Sequence, residues 1–389
     1  MNVPVQLAIA FVAAAFAVQY VSAAIAAWRC RRSKPRAVAV YRPAVTIVRP
    51  LRGLETYSRE TLATTFTIDY PDYEILFCVA DADDPVVPLV REAMALHPRR
   101  AARLLVGDDI VGANPKLNNM AKGFREARYD FVVFVDSNVL TPPDYLDQLA
   151  RQFGRGAGMV SAPPIGLLPQ GFAAQLECAF LNSYQARVQY AVDTLGFGFA
   201  QGKTLFFRRA DLERGGLARL ASEPAEDAAA TKMMRERGKR IRLAGPFAQL
   251  VGPRTWAQMW SRQLRWARLR RASFPLLFAP EILAGMLPPL AAALFAAASL
   301  DLDVRASAAA FIALWYLPEI LLCRIGGWPL SVTAMLLRDL LLPAIYAGAW
   351  MSRDFEWHGR KMEAFGAGRG PAIRTLPQRL KALWLSRAG

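Results

Sequence analysis

The sequence predicts an α/β domain with a mostly parallel sheet, held between membrane segments near both ends of the chain. Three observations predict it. Short runs of β-branched and aromatic residues alternate with helical stretches at the spacing of a parallel sheet. Two of those runs, Tyr73–Ala80 and Phe131–Val135, lead straight into aspartates. Apolar stretches long enough for a bilayer lie at the start of the chain and again after residue 274.

Residues 4–28 are apolar apart from Gln6, Gln19 and Ser22, and Trp28 and the basic run Arg29–Lys34 follow at once. A cleaved signal would carry its charge in front of the apolar core. The order here predicts an uncleaved anchor over residues 1–28, with residue 29 onward cytoplasmic. Residues 43–255 read as one soluble domain. Its strands are Ala44–Val48, Tyr73–Ala80, Ala102–Val106, Phe131–Asn138, Met159–Ala162, Thr204–Phe207 and Lys239–Leu243. Helices are expected over 55–66, 85–96, from Gly112 to about Ala127, over 142–153 and 171–190, and from Ala225. The aromatic face of 171–190 (Phe172, Phe180, Tyr184, Tyr190) reads as core in preference to lipid contact. The glycines of Leu195–Lys203 suit close approach to a substrate or a tight turn.

Asp81 and Asp136 stand at the carboxyl ends of their strands, where open α/β sheets bind ligands. One carboxylate can accept from a base or ribose, and the other can hold a divalent metal against a pyrophosphate. For Asp136 alone, a turn or helix cap is an equal alternative. Lys116, near the start of its helix, can meet phosphate or simply be solvated. Glu226 and Asp227 sit in a first helical turn, where capping competes with catalysis. A group transfer to a hydroxyl needs a base, and a positioned carboxylate can serve.

Composition narrows the chemistry. With two histidines, His97 and His358, a histidine relay is disfavoured, and four scattered cysteines make neither a disulfide scaffold nor a zinc site. The net charge of +16 borders apolar segments, which suits an anionic membrane surface better than nucleic acid. No glycine-rich dinucleotide fingerprint follows the first strand and no Walker motif is present, which disfavours an oxidoreductase or a P-loop NTPase.

Residues 256–274 form an amphipathic interface helix in which Trp256, Trp260 and Trp266 alternate with Arg262, Arg265, Arg268, Arg270 and Arg271. Its arginines can also hold a leaving diphosphate. Membrane helices are expected over 275–350, with apolar stretches at 275–299, 307–323 and 329–350. The first is read as a span. The third carries Arg338 and Asp339 and is read as interfacial or re-entrant. Residues 351–389 carry eight Lys or Arg against three Asp or Glu and read as a basic cytoplasmic tail.

Taken in order, these motifs resemble those of the processive-type, inverting, membrane-bound glycosyltransferases, and within them the ceramide glucosyltransferases. The matching stretches are Cys78–Pro85, Asn114–Asn119, Asp136-Ser-Asn138, Ala225–Ala228 and Arg262-Gln-Leu-Arg-Trp266. The resemblance implies a GT-A domain and a UDP-sugar donor, with glucose as the sugar. It makes Asp81 the nucleotide contact, Asp136 the ligand of Mg²⁺ or Mn²⁺ and Asp227 the base. Lys116, Arg262, Arg265 and Trp266 join the donor site, with Arg262 and Arg265 offsetting charge on departing UDP. Asn138 stands where a strict Asp-x-Asp motif has its second aspartate.

The implied acceptor is a membrane lipid, ceramide first, with diacylglycerol and hopanoid as alternatives. Asn182-Ser-Tyr184 lacks the histidine that ceramide-specific animal enzymes carry there. A processive polysaccharide synthase and a basic, non-enzymatic membrane-binding protein are the other readings. The implied location is a bacterial inner membrane, multi-pass, with the catalytic domain cytoplasmic. Neither nucleic acid nor an obligatory protein partner is expected.

Overall fold

The computed structural model describes residues 2–32, 41–107, 109–112, 114–153, 156–213, 215–352, 354–357 and 360–363. The predicted basic tail lies mostly outside the described residues. The central sheet holds β1 (Val45–Pro50), β2 (Tyr73–Val79), β3 (Ala102–Val106), β4 (Phe131–Val135), β5 (Ala157–Ser161), β7 (Thr204–Arg208) and β8 (Arg240–Leu243). A second, two-stranded sheet pairs β6 (Pro164–Gln170) with β9 (Phe247–Pro253). The central order is β3-β2-β1-β4-β7-β5-β8.

Period-two alternation explains why this sheet is buried on both faces. Phe131, Val133 and Val135 pack into one apolar core with Leu62, Val90 and Leu149, whereas Val132 and Phe134 pack into another with Leu117, Met120 and Met233. Helices Ser58–Phe66, Val87–Leu96 and Tyr145–Phe153 thus cover one face, and Pro115–Arg125 and Glu226–Glu236 the other. The domain is α/β, with apolar helices at its N- and C-terminal sides long enough to span a membrane.

The sheet is mixed. β1 to β4 are mutually parallel, but β7 runs antiparallel to both β4 and β5. Apolar runs record burial and not direction, so the sequence carries no sign of that reversal. The pair β6–β9 is also new. Pro164, Gly166 and Pro169 disguise β6 as a loop, and such residues are confined to edges and short sheets. The expected helix 171–190 is continuous but contains a π turn, Phe180–Ala186, between Phe172–Ala179 and Arg187–Thr194. Phe180 and Tyr190 are buried there, as core packing requires, whereas Phe172 at the start of the helix is exposed and Tyr184 is half-buried.

Among the described residues, three helices are long and apolar enough to cross a membrane: Val3–Arg31, Val304–Gly326 and Val332–Met351. The expected first span after the domain is a bent pair, Pro275–Leu283 and Leu287–Ser299, turned by 40° and together long and apolar enough for one broken span or a re-entrant loop. Gly285 at φ 85° and the prolines at 280, 288 and 289 account for the break. The stretch expected to be re-entrant is an unbroken helix.

Its two charges explain how. Arg338 bridges Glu319 (2.7 Å) and Asp339 (2.9 Å), and all three are buried. Arg338 also donates to Ser183 Oγ (3.1 Å) and to the carbonyl of Ala179 (3.3 Å) at the π turn. Glu319 accepts from Gln19 of the first helix (2.8 Å), and Asp339 accepts from Trp315 Nε1 (3.2 Å) and the Tyr316 hydroxyl (3.0 Å). Each charge is hydrogen-bonded within the protein, which is what makes it tolerable at that depth. One network therefore ties three long helices to the α/β domain.

Candidate active site

Asp136 is the first residue beyond β4, on the edge where β1 to β4 all end. The antiparallel register pairs Val135 with Thr204, so Lys203 falls opposite Asp136. Its ammonium lies 2.7 Å from Asp136 Oδ2 and 3.1 Å from Asn138 Oδ1. A second ammonium reaches the other carboxylate oxygen. Lys116 is in the first turn of Pro115–Arg125, which Asn114 caps through the amides of Lys116 and Leu117. From there Lys116 Nζ meets Asp136 Oδ1, Glu226 Oε1 and the Gly202 carbonyl, each at 2.6 Å.

Glu226 and Asp227 open the helix Glu226–Glu236. Glu226 also accepts from Asn114 Nδ2 (2.9 Å). Asp227 accepts from the amides of Gly202 and Ala228, both at 2.8 Å. Gly202 thus contacts both halves of the site, and a β-carbon there would stand 2.8 Å from Glu226 Oε1 and 3.1 Å from Lys116 Nζ. A β-carbon there would press the ends of the Glu226 and Lys116 side chains aside and disturb their ion pair, which favours glycine at this position.

These contacts divide the carboxylates into two kinds. Burial works against the charge on Asp136, but Lys116 and Lys203 outweigh it and hold its carboxyl far below the usual range. Burial and the neighbouring Glu226 charge push Asp227 up to about 6, against the pull of Lys116 and two backbone amides. A permanently ionised carboxylate and one that exchanges protons near neutrality are suited to different tasks.

Sequence reasoning gave no role to Lys203 or Arg49, and read Gly202 only with its neighbouring glycines as suited to close approach or a tight turn. Arg49 leaves β1 fully buried. It donates to the carbonyls of Asp136 (2.8 Å), Ser137 (3.1 Å) and Val139 (2.9 Å), and on its other side to Thr61 O (2.7 Å) and Thr65 Oγ1. It is the bolt that shapes the loop after β4. An Arg-Pro pair at a strand end was the available signal. Arg49→Lys keeps the charge but loses the fork. It is expected to cost about 1–3 kcal/mol in denaturant unfolding, with faster amide exchange over residues 136–139.

Asp81 lies on the same sheet edge, exposed, its side chain accepting from the Asp83 amide (3.0 Å). Arg262, Arg265 and Trp266 ride on the helix Trp256–Ser273, whose start is fixed by a Thr255–Gln258 capping box. Arg262 is drawn to the fully buried Glu177 (3.0 Å) and lies 6.0 Å from the Trp266 ring, while Arg254 takes the other oxygen of Glu177 (3.3 Å). Arg265, lowered to about 10 by burial and by the Arg262 charge, feels Glu177 and Glu226. So the structure gathers Lys116, Asp136 and Asp227 around Gly202, sets Arg265 within electrostatic reach, and leaves Asp81 and Arg262 with other immediate partners.

A cleft of about 460 Å³ opens beside Asn138, lined by Leu54, Glu55, Tyr57, Leu250 and Arg254 among others. That volume accommodates a sugar or a lipid head group. The Asn182–Tyr184 stretch has structural partners: Asn182 exchanges two hydrogen bonds with Gly166 (2.7 and 3.0 Å), and Ser183 and Tyr184 meet Arg338.

The donor set suits a hard divalent cation in one respect. Asp136 Oδ2 and Asn138 Oδ1 converge on a single cationic group, the Lys203 ammonium. Among the described residues no cluster of three or more His, Cys, Asp or Glu is placed to hold a metal. A cation seated there would draw on these two side chains.

Comparison with known proteins adds the following. Ceramide glucosyltransferase 1 of Caenorhabditis elegans is 30% identical over 243 residues, 61% of this chain and 52% of that protein. A ceramide glucosyltransferase of Komagataella phaffii is 31% identical over 209 residues, 47% of this chain and 41% of that protein. The chain spans about half the length of the nematode relative. Among solved structures, a mannosyltransferase from Pyrobaculum calidifontis in complex with GDP-Man and Mn²⁺ covers 90% of this chain and 98% of its own, at 22% identity and a TM-score of 0.48. These relatives are nematode and fungal. The expected placement in a bacterial inner membrane, with the catalytic domain cytoplasmic, is corrected accordingly. The profile of glycosyl transferase family 21 matches residues 8–369, nearly the whole sequence, and the chain belongs to that family.

Proposed function

We propose that this chain is an inverting glycosyltransferase that moves glucose from UDP-glucose to the hydroxyl of a membrane lipid, ceramide. The observation that carries the reading is the pairing of an ion-paired Asp136 with an Asp227 pushed up to about 6, on either side of Gly202. Family membership, the ceramide glucosyltransferases among the relatives and the long apolar helices support it.

In this mechanism Asp227 takes the proton from the acceptor hydroxyl, which displaces UDP from the anomeric carbon in one step. One displacement inverts the configuration. Lys116 holds its ammonium beside the departing diphosphate, and Arg265 adds positive charge from the interface helix. Glu177 anchors Arg262 and thereby fixes the helix that carries Arg265 and Trp266. Asp81 receives the nucleoside at the sheet edge. A divalent Mg²⁺ or Mn²⁺ on Asp136 and Asn138 would neutralise part of the diphosphate charge.

The test is product analysis by mass spectrometry, with purified full-length protein, UDP-glucose, Mn²⁺ and ceramide or diacylglycerol supplied in turn. Glucosylceramide is the expected product. A diacylglycerol glycoside in its place would overturn the acceptor, and no sugar-bearing lipid from any acceptor would sink the activity.

A further inference from the structure

Lys203 has a geometry that the transfer reaction does not demand. The β4–β7 register sets it across from Asp136, and its ammonium fills the point on which Asp136 Oδ2 and Asn138 Oδ1 converge. A metal ion and an ammonium cannot share that point. They compete for the same two oxygens, one of which belongs to a neutral amide. Lys116 already neutralises the other Asp136 oxygen, so a lone divalent cation approaching here meets two positive charges.

The two lysines are not held equally. Lys116 has three acceptors, Asp136, Glu226 and the Gly202 carbonyl, on three different elements. Lys203 has two, Asp136 and Asn138, both belonging to the seat itself. Lys203 is therefore the group that can leave, on a flexible four-carbon stem. What it lacks is another anion to go to, and a diphosphate is such an anion.

We propose that Lys203 is a gate on the cation seat: its ammonium keeps a lone divalent cation off Asp136 and Asn138 and yields only when a nucleoside diphosphate arrives to receive it. The inference rests on the donor reading given above. It makes metal and nucleotide binding mutually dependent, because each becomes favourable only when the other is present.

The experiment is a Mn²⁺ titration of the full-length protein in detergent, followed by electron paramagnetic resonance with and without UDP, with UDP binding measured by calorimetry on the same samples. Wild-type protein is expected to bind Mn²⁺ weakly alone and tightly with UDP. Lys203→Met is expected to bind Mn²⁺ without UDP about tenfold more tightly than wild type, and to gain less from adding UDP. Lys203→Gln serves as the second uncharged variant should the methionine variant not fold, and Lys203→Arg, which keeps the charge, should retain the UDP requirement. If UDP binds but both uncharged variants match wild type in Mn²⁺ affinity, the gate is wrong and the donor reading survives. If wild-type protein binds no UDP at any Mn²⁺ concentration, the donor reading fails and the gate falls with it.

Discussion

Asp227→Asn is expected to slow sugar transfer by about a hundred- to ten-thousandfold, the range for loss of a general base, while UDP binding persists. Asparagine keeps the shape of the side chain and can accept one of the two amide bonds from Gly202 and Ala228. It cannot take the acceptor's proton. The wild-type rate should also carry an acid limb. Burial and Glu226 push Asp227 up to about 6, so the base is ionised above that pH and progressively protonated below it. Turnover is expected to fall as pH drops through about 6 and to be flat just above it. The same shift has a stability consequence of opposite sense. Between the ordinary value of 3.8 and about 6 the folded chain keeps a proton that the unfolded chain has released. Rising pH through that window therefore removes stability at this group. An acid limb centred near pH 4, in an otherwise active enzyme, would show that Asp227 is not the titrating base.

Arg338→Met is the second large effect. It strips the partner from Glu319 and Asp339, both buried among helices. Breaking a buried pair on one side costs about 3–5 kcal/mol, because the remaining charge is left uncompensated. The expected result is a marked loss of thermal stability in detergent and early proteolysis between the membrane helices and the π turn. Adding Glu319→Gln to Arg338→Met should recover part of the loss, because it removes one orphaned charge. A single variant as stable as wild type would mean that the cluster is decorative.

The parts of this molecule that the sequence announced are those governed by local pattern. Phe131–Val135 reads as a buried strand because five aromatic or β-branched residues can face two apolar layers at once. The helix Trp256–Ser273 reads from its spacing of tryptophan and arginine. What escaped depends on pairing between distant segments. The direction of β7 is not written in Thr204–Arg208, and β6 hides behind Pro164, Gly166 and Pro169. Arg338 and Asp339 looked too costly for a membrane helix because Glu319 and Gln19, which share the burden, are far away in sequence. At the site, the resemblance pointed to Asp136 and Asp227 one motif at a time. Their meeting around Gly202, and the part taken by Lys203, follow from the β4–β7 ladder and from nothing local.

That ladder has a consequence for how this site tolerates change. Asp136 and Lys203 belong to distant parts of the chain, yet strand pairing alone brings them together. Insertions or deletions in the loops of the long excursion between the two strands, outside β5, β6 and the helices it carries, leave their meeting intact. A single residue added inside β7 would exchange the ammonium for its neighbour and lose it. The charge arrangement is thus insulated from loop evolution and hostage to strand alignment, so variation in length should collect in the loops between Asn138 and Gly202 and spare β5, β6 and β7.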